Sequence, residues 1–121
     1  MGRTLVQLQR TPRLGEVWQA DLDPIVGHEQ GGTRPVVIVS ADPFNENASR
    51  LVLVVPVTRT YRGVPLHVEI VPPDGGLMYR SFALCEMVRS ISTDRVQFRI
   101  GMVDRGAMDE IGDRLRVLLG L

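Results

Sequence analysis

Apolar positions along this chain fall into three patterns. Residues 36–39 and 51–57 are unbroken apolar runs, which predicts strands buried on both faces. Pro56 cannot donate to a ladder, so the second run is expected to meet a bulge or an edge there. Elsewhere apolar and polar positions alternate. Residues 15–22 put Trp18, Ala20 and Leu22 on one face and Val17, Gln19 and Asp21 on the other, predicting a half-buried first strand. Residues 66–70 point Leu66, Val68 and Ile70 inward and leave His67 and Glu69 outward, with His67 read as a surface histidine. Residues 81–91 predict a bent strand carrying Glu86 and Arg89. Val96, Phe98, Ile100 and Met102 alternate again. Near the C-terminus the period lengthens to that of a helix over about 106–119, with Asp104 as N-cap. Met108, Ile111, Leu115, Leu118 and Leu119 form its apolar stripe.

Between these elements lie a glycine- and proline-rich loop at 23–33 and a connection at 42–47 with a short helical turn. A basic loop at 58–63 and turns at 72–76 and 94–95 complete the connections. Short strands followed by one amphipathic helix predict a mainly β fold, a small barrel with a C-terminal α-helix. Full closure would remove the edges that so many valines and isoleucines would otherwise expose. Residues 1–13 read as a loose arm, and 14–121 as one barrel domain.

Composition narrows the class. With 44% hydrophobic and 23% charged residues in 121, the chain is of ordinary globular type. No apolar run approaches the ~20 residues of a membrane span, and the N-terminus lacks a secretory signal, so the cytoplasm is the expected location. Cys85 has no partner for a disulfide and no zinc-like spacing. Net charge is zero, yet all basic residues are arginines, and residues 1–15 and 47–68 contain arginine without any acid. Locally basic loops on a neutral body suit a nucleic acid held over a short footprint. They equally fit plain solvated loops, with an arginine bias set by codon usage.

The most informative stretch is the loop that ends in Arg34. Pro35 biases Arg34 towards extended backbone, so its guanidinium sits where a rigid strand meets a polar loop. Gly27, Gly31 and Gly32 allow turns, or a close approach to a ligand, that side chains would forbid. A fixed guanidinium among free amides suits an anion, phosphate above all. The alternative at this point is a hairpin loop whose arginine pairs with a nearby carboxylate. Asp21 and Asp23 share a face, but no third ligand follows at close spacing, so no metal site is expected. Trp18 reads as core or interface.

Taken together, these residues resemble the MazF/PemK family of bacterial toxins from toxin–antitoxin modules. The resemblance spans roughly residues 14–121. It rests on GEVW at 15–18, DLDP at 21–24, GHEQGGTRPVVI at 27–38, VPVT at 55–58, PLHV at 65–68, LCEMVRSI at 84–91 and the terminal helix. It implies a barrel related to SH3 domains, of the MazF/CcdB type, assembled as a homodimer. It also implies metal-independent, sequence-selective cleavage of single-stranded RNA without a cofactor, and an antitoxin with a disordered acidic tail as partner. Arg34 and Thr58 fall on the family's catalytic positions, and Glu29 on a carboxylate also implicated.

The chemistry can be set against these residues. Attack of a ribose 2′-hydroxyl on its phosphate needs a proton acceptor, a proton donor and stabilisation of the phosphorane charge. A guanidinium fits the last role and, being always charged, fits the base role poorly. Glu29 is the better base, and Thr58 would donate to the phosphate. The RNA-binding set is His28, Gln30, Arg59, Arg62 and Arg89. His28 stands where small residues are common, as an exposed loop residue or a reader of a base. Arg89 beside Glu86 reads as an ion pair holding its strand, with RNA contact as the alternative. Met87 stands where a glutamine is frequent. Competing functions on the same barrel are a CcdB-like poison of DNA gyrase and a non-catalytic binding module. The first would need its activity in the last helix, which has no aromatic end.

Overall fold

The computed structural model describes residues 11–121. Among these residues seven strands and two α-helices follow one another as β1 (Glu16–Asp21), β2 (Thr33–Ile38), α1 (Asp42–Asn45), β3 (Leu51–Thr58), β4 (His67–Ile70), β5 (Ser81–Leu84), β6 (Arg89–Ser92), β7 (Val96–Met102) and α2 (Arg105–Leu119). One-turn 3-10 helices at Asp74–Gly76, Cys85–Met87 and Thr93–Arg95 bend the chain between them. The expected long strand at 81–91 is thus two strands hinged at Cys85–Met87.

All pairings are antiparallel, in the order β4-β5-β3-β2-β1-β7, with β6 added beside β3. On one side β3 pairs with β2. On the other it pairs first with β6, over Leu51 to Val54, and then with β5, over Val57 and Thr58. Pro56 lies in the interval between those two partners, where the missing N–H costs the ladder least.

The unbroken apolar runs bury both faces over residues 36–38 and 54–57, because successive side chains leave a strand on opposite sides. Leu51 and Leu53 at the start of β3 stay exposed, against expectation. Val37, Val55 and Val57 join one core with Val68 and Ile70, covered by Ala107 and Ile111 of α2. Val36, Ile38, Val52 and Val54 join a second core with Trp18, Ala20, Leu22 and Ile91. β1 departs from the half-buried expectation. Val17, assigned to its outer face, is fully buried in the first core while Trp18 enters the second.

The sheet does not close as expected. β4 and β7 end it without pairing with each other. Instead the turn Asp74–Gly76 packs on β7, so tightly that a Cβ at Gly101 would lie 2.5 Å from the Gly75 carbonyl oxygen. As an edge strand β7 buries little of its alternating set, and Phe98 and Met102 stay 56% and 55% exposed. Register shifts against β1 break the alternation there.

Asp104 caps α2, its side chain accepting from the Ala107 N–H at 2.8 Å. The helix stripe meets the core only through its first three members. Met108, Ile111 and Leu115 pack on the core, whereas Leu118 and Leu119 are exposed, since the sheet ends before the helix does. Residues 1–10, most of the expected arm, lie outside the described residues. Pro12 and Arg13 are held in place. The Pro12 carbonyl accepts from Asn45 Nδ2 at 3.0 Å, and Arg13 pairs with Asp42 at 2.9 Å.

Candidate active site

β2 and β3 bring Arg34 and Thr58 together. Their register runs Val36 opposite Pro56 and Ile38 opposite Val54. Continued two residues beyond Val36, it sets Arg34 opposite Thr58. Both line one cleft of about 550 Å³, together with Arg59, Thr60, Tyr79 and Ser81.

Arg34 is held by backbone rather than by a carboxylate. Its Nε donates to the Gly31 carbonyl at 2.7 Å, and its Nη1 to the Val57 carbonyl at 3.3 Å. The loop is shaped to offer that first carbonyl. Asp23 Oδ1 accepts from the Gly32 N–H at 2.9 Å, and a Cβ at Gly31 would fall 2.7 Å from the same oxygen. Any larger residue there would have to displace the Asp23 and Ile25 side chains. Burial, and then repulsion from Arg62, lower the pKa of Arg34, while Asp23 opposes them. A guanidinium starts so high that it stays charged at neutral pH. A half-desolvated cation facing a second cation is relieved by an anion.

Thr58 is 8% exposed, and its hydroxyl accepts from the Thr60 N–H at 3.2 Å. As a rotor it still has a proton to donate into the cleft. Arg59 lies over the Tyr79 ring, 4.5 Å from its centroid. Arg62 is exposed on the following loop.

Other expected residues lie apart from the cleft lining. Glu29 is exposed, and its carboxylate accepts from the Val26 N–H at 2.7 Å, closing a turn of its own loop. His28 is exposed beside it, and Gln30 is half-buried. Among the described residues the cleft lining contains no carboxylate and no histidine.

Two expectations are overturned, the Arg89–Glu86 pair and the surface position of His67. Arg89 does not pair with Glu86; its Nη1 donates to the Leu22 carbonyl at 3.3 Å. Glu86 pairs instead with His67, Nε2 to Oε2 at 2.8 Å, and the His67 side chain is only 5% exposed. The reason is the 3-10 turn after β5. It swings Glu86 off the strand direction to meet β4, while Arg89 restarts on β6. Alternation along β4 alone could not anticipate that cover over its polar face.

Tyr61, Tyr79, Arg80 and Phe82 were not singled out from the sequence. Their signal was present, since aromatics interleave with arginines in both 59–62 and 79–82, the usual composition of a single-strand binder. Only the pairing of β3 with β5 places the two segments side by side.

Fold and cleft define a small open barrel whose cleft holds Arg34 and Thr58 at the junction of two strands. A profile of PemK-like, MazF-like toxins of type II toxin–antitoxin systems matches residues 13–119, and the chain belongs to that family. Endoribonuclease MazF9 of Mycobacterium tuberculosis is 39% identical over 114 residues, covering 90% of this chain and 97% of that protein. The crystal structure of MazF from Deinococcus radiodurans superposes with a TM-score of 0.85 at 26% identity, covering 93% of this chain and 100% of that one. A mycobacterial endoribonuclease in complex with its cognate antitoxin superposes at 0.77 with 27% identity, over 91% and 96% of the two chains.

Proposed function

We propose that this toxin is an endoribonuclease that cuts single-stranded RNA by attack of a ribose 2′-hydroxyl on the adjacent phosphate. The products are a 2′,3′-cyclic phosphate and a 5′-hydroxyl end. The observation that carries this reading is the convergence of Arg34 and Thr58 on one cleft, with the guanidinium steered by two carbonyls. Bidentate donation from Arg34 would spread the charge of the phosphorane, and Thr58 would donate to a non-bridging oxygen. Lowering the Arg34 pKa also makes its proton easier to lend to the departing 5′-oxygen. Glu29 remains the proposed base. To act, its loop must fold over the bound strand and give up the Val26 contact. His28, Gln30, Arg59, Arg62 and Arg89 are assigned to binding the RNA.

The toxin would work in the cytoplasm, as a homodimer, under the control of an acidic antitoxin segment competing for the same arginines. The mycobacterial relative solved with its antitoxin supports that partner, and the exposed Phe98 and Met102 on the free β7 edge offer apolar surface to a second copy. The test is chemical. Purified protein is incubated with a long single-stranded RNA in EDTA, and fragment ends are assayed for cyclic phosphate and 5′-hydroxyl. Fragments with 5′-phosphate ends, or intact RNA together with gyrase inhibition, would reject the proposal.

A further inference from the structure

One peptide group stands between Asp23 and Arg34. Arg34 Nε donates to the Gly31 carbonyl at 2.7 Å, and the Gly32 N–H donates to Asp23 Oδ1 at 2.9 Å. That carbonyl and that N–H belong to the same planar peptide, so holding one end of it fixes the direction of the other. The result is a chain of carboxylate, amide and guanidinium. A carboxylate accepting from the N–H also polarises the carbonyl, which strengthens its bond to the cation.

This peptide needs holding. It joins two glycines, the residues with the fewest backbone restraints, and Gly32 already sits at a φ of +81°. Among the described residues the Gly32 N–H meets Asp23, and the next carbonyl, that of Gly32, accepts from the Leu22 N–H at 3.1 Å.

Asp23 is itself fixed through every polar group it has. Its N–H donates to Asp21 Oδ1 at 3.0 Å. Its carbonyl accepts from Arg95 Nη1, which also donates to the Asp21 carbonyl at 3.2 Å. Arg95 comes from the turn before β7, more than 70 residues away along the chain. Asp23 makes no ion pair among the described side chains, yet its charge acts on Arg34. An exposed carboxylate beside a guanidinium that receives phosphate repels the substrate. Its presence there calls for a use other than binding.

We propose that Asp23 is a positioning residue for RNA cleavage. Through the Gly31–Gly32 peptide it sets where Arg34 points, and Arg95 sets where Asp23 stands. The inference rests on the endoribonuclease reading, which gives Arg34 to the phosphate, and it assigns to Asp23 no contact with RNA.

The experiment uses full-length wild type, Asp23→Ala, Asp23→Asn, Asp23→Glu, Arg34→Ala and the Asp23→Ala/Arg34→Ala double variant. Single-turnover cleavage of a synthetic single-stranded RNA is followed over a range of protein concentration, which separates the maximal rate from half-saturation. Asp23→Ala should lower the maximal rate roughly tenfold or more while half-saturation stays or improves, because a misaimed guanidinium loses rate rather than affinity. Asp23→Asn keeps an acceptor oxygen in place and should stay within about threefold of wild type. Asp23→Glu keeps the charge but misplaces the oxygen, and should be slow like Asp23→Ala; it carries the prediction if Asp23→Ala melts below the assay temperature. In the double variant Asp23→Ala should add less than about twofold to the loss from Arg34→Ala, since it acts through that side chain. A rate unchanged in both Asp23→Ala and Asp23→Glu, an Asp23→Asn protein as slow as Asp23→Ala, a loss confined to half-saturation, or losses that multiply in the double variant would each overturn the role of Asp23. RNA that wild type leaves intact would instead overturn the endoribonuclease reading.

Discussion

Arg34 Nη1 donates to the carbonyl oxygen of Val57 across 3.3 Å. That bond ties the guanidinium to the residue just before Thr58 and aims it along the cleft. Removing the side chain should therefore remove charge stabilisation without disturbing either core, since Arg34 belongs to neither. Arg34→Ala is expected to lower the cleavage rate by on the order of a hundredfold or more. Arg34→Lys, a point charge without the planar fork, should recover only a fraction. Single-turnover cleavage with circular dichroism as the folding control checks both.

The turn Asp74–Gly76 lies against β7 with no room for a methyl group. A Cβ at Gly101 would meet Gly75 O at 2.5 Å and Gly76 N at 2.7 Å, both backbone atoms that cannot rotate away. Gly101→Ala is expected to destabilise the protein by about 2 kcal/mol or more. Gly112→Ala, with nothing within 4 Å of the new methyl, should be neutral or slightly stabilising in its helix. Paired thermal melts of the two variants decide the matter, and equal midpoints would contradict this account of how the turn packs on β7.

Cys85 is fully buried, and burial, with Glu86 adding to it and Arg114 opposing, pushes its thiol up to about 12. Below the ordinary thiol value near 9.0, both folded and unfolded chains keep the proton and the group adds no pH dependence. Above it only the unfolded chain releases the proton, so stability is lost as pH rises from there towards about 12. Urea midpoints of wild type and Cys85→Ala, compared at pH 8 and pH 10, should differ in slope in that direction. The thiol should also resist alkylation until the protein unfolds.

Glu16 is a charge inside the barrel wall, 3% exposed, bonded to Arg99 Nε at 2.7 Å and accepting from Trp18 Nε1 at 3.1 Å. It therefore joins β1 to β7 and orients the indole of the second core. Glu16→Ala should cost roughly 3 kcal/mol, because Arg99 loses its partner and Trp18 its acceptor. Denaturant titration followed by Trp18 fluorescence measures this directly, as Trp18 is the single tryptophan in the chain. A loss below the error of the titration would contradict the role given to this pair.

Much of this protein is decided by local chemistry. The unbroken runs at 36–39 and 51–57 are satisfied by burial on both faces over residues 36–38 and 54–57, and Asp104 before an apolar stripe of helical period starts α2 where it was expected. Pro35 after Arg34 makes an extended junction from two adjacent residues. Such features depend on neighbours along the chain, so the order of residues suffices to read them. The outcomes at His67, Val17, Phe98 and Leu118 depend on what lies across space. A turn carries Glu86 over His67, Val17 finds a core because β1 lies between β2 and β7, and Phe98 and Leu118 stay exposed where the sheet ends. The same holds for the cleft, whose two key residues are joined only by the register of β2 on β3. Alternation names which side chains share a face, but only pairing and cover decide whether that face meets water, a second layer or a strand of RNA.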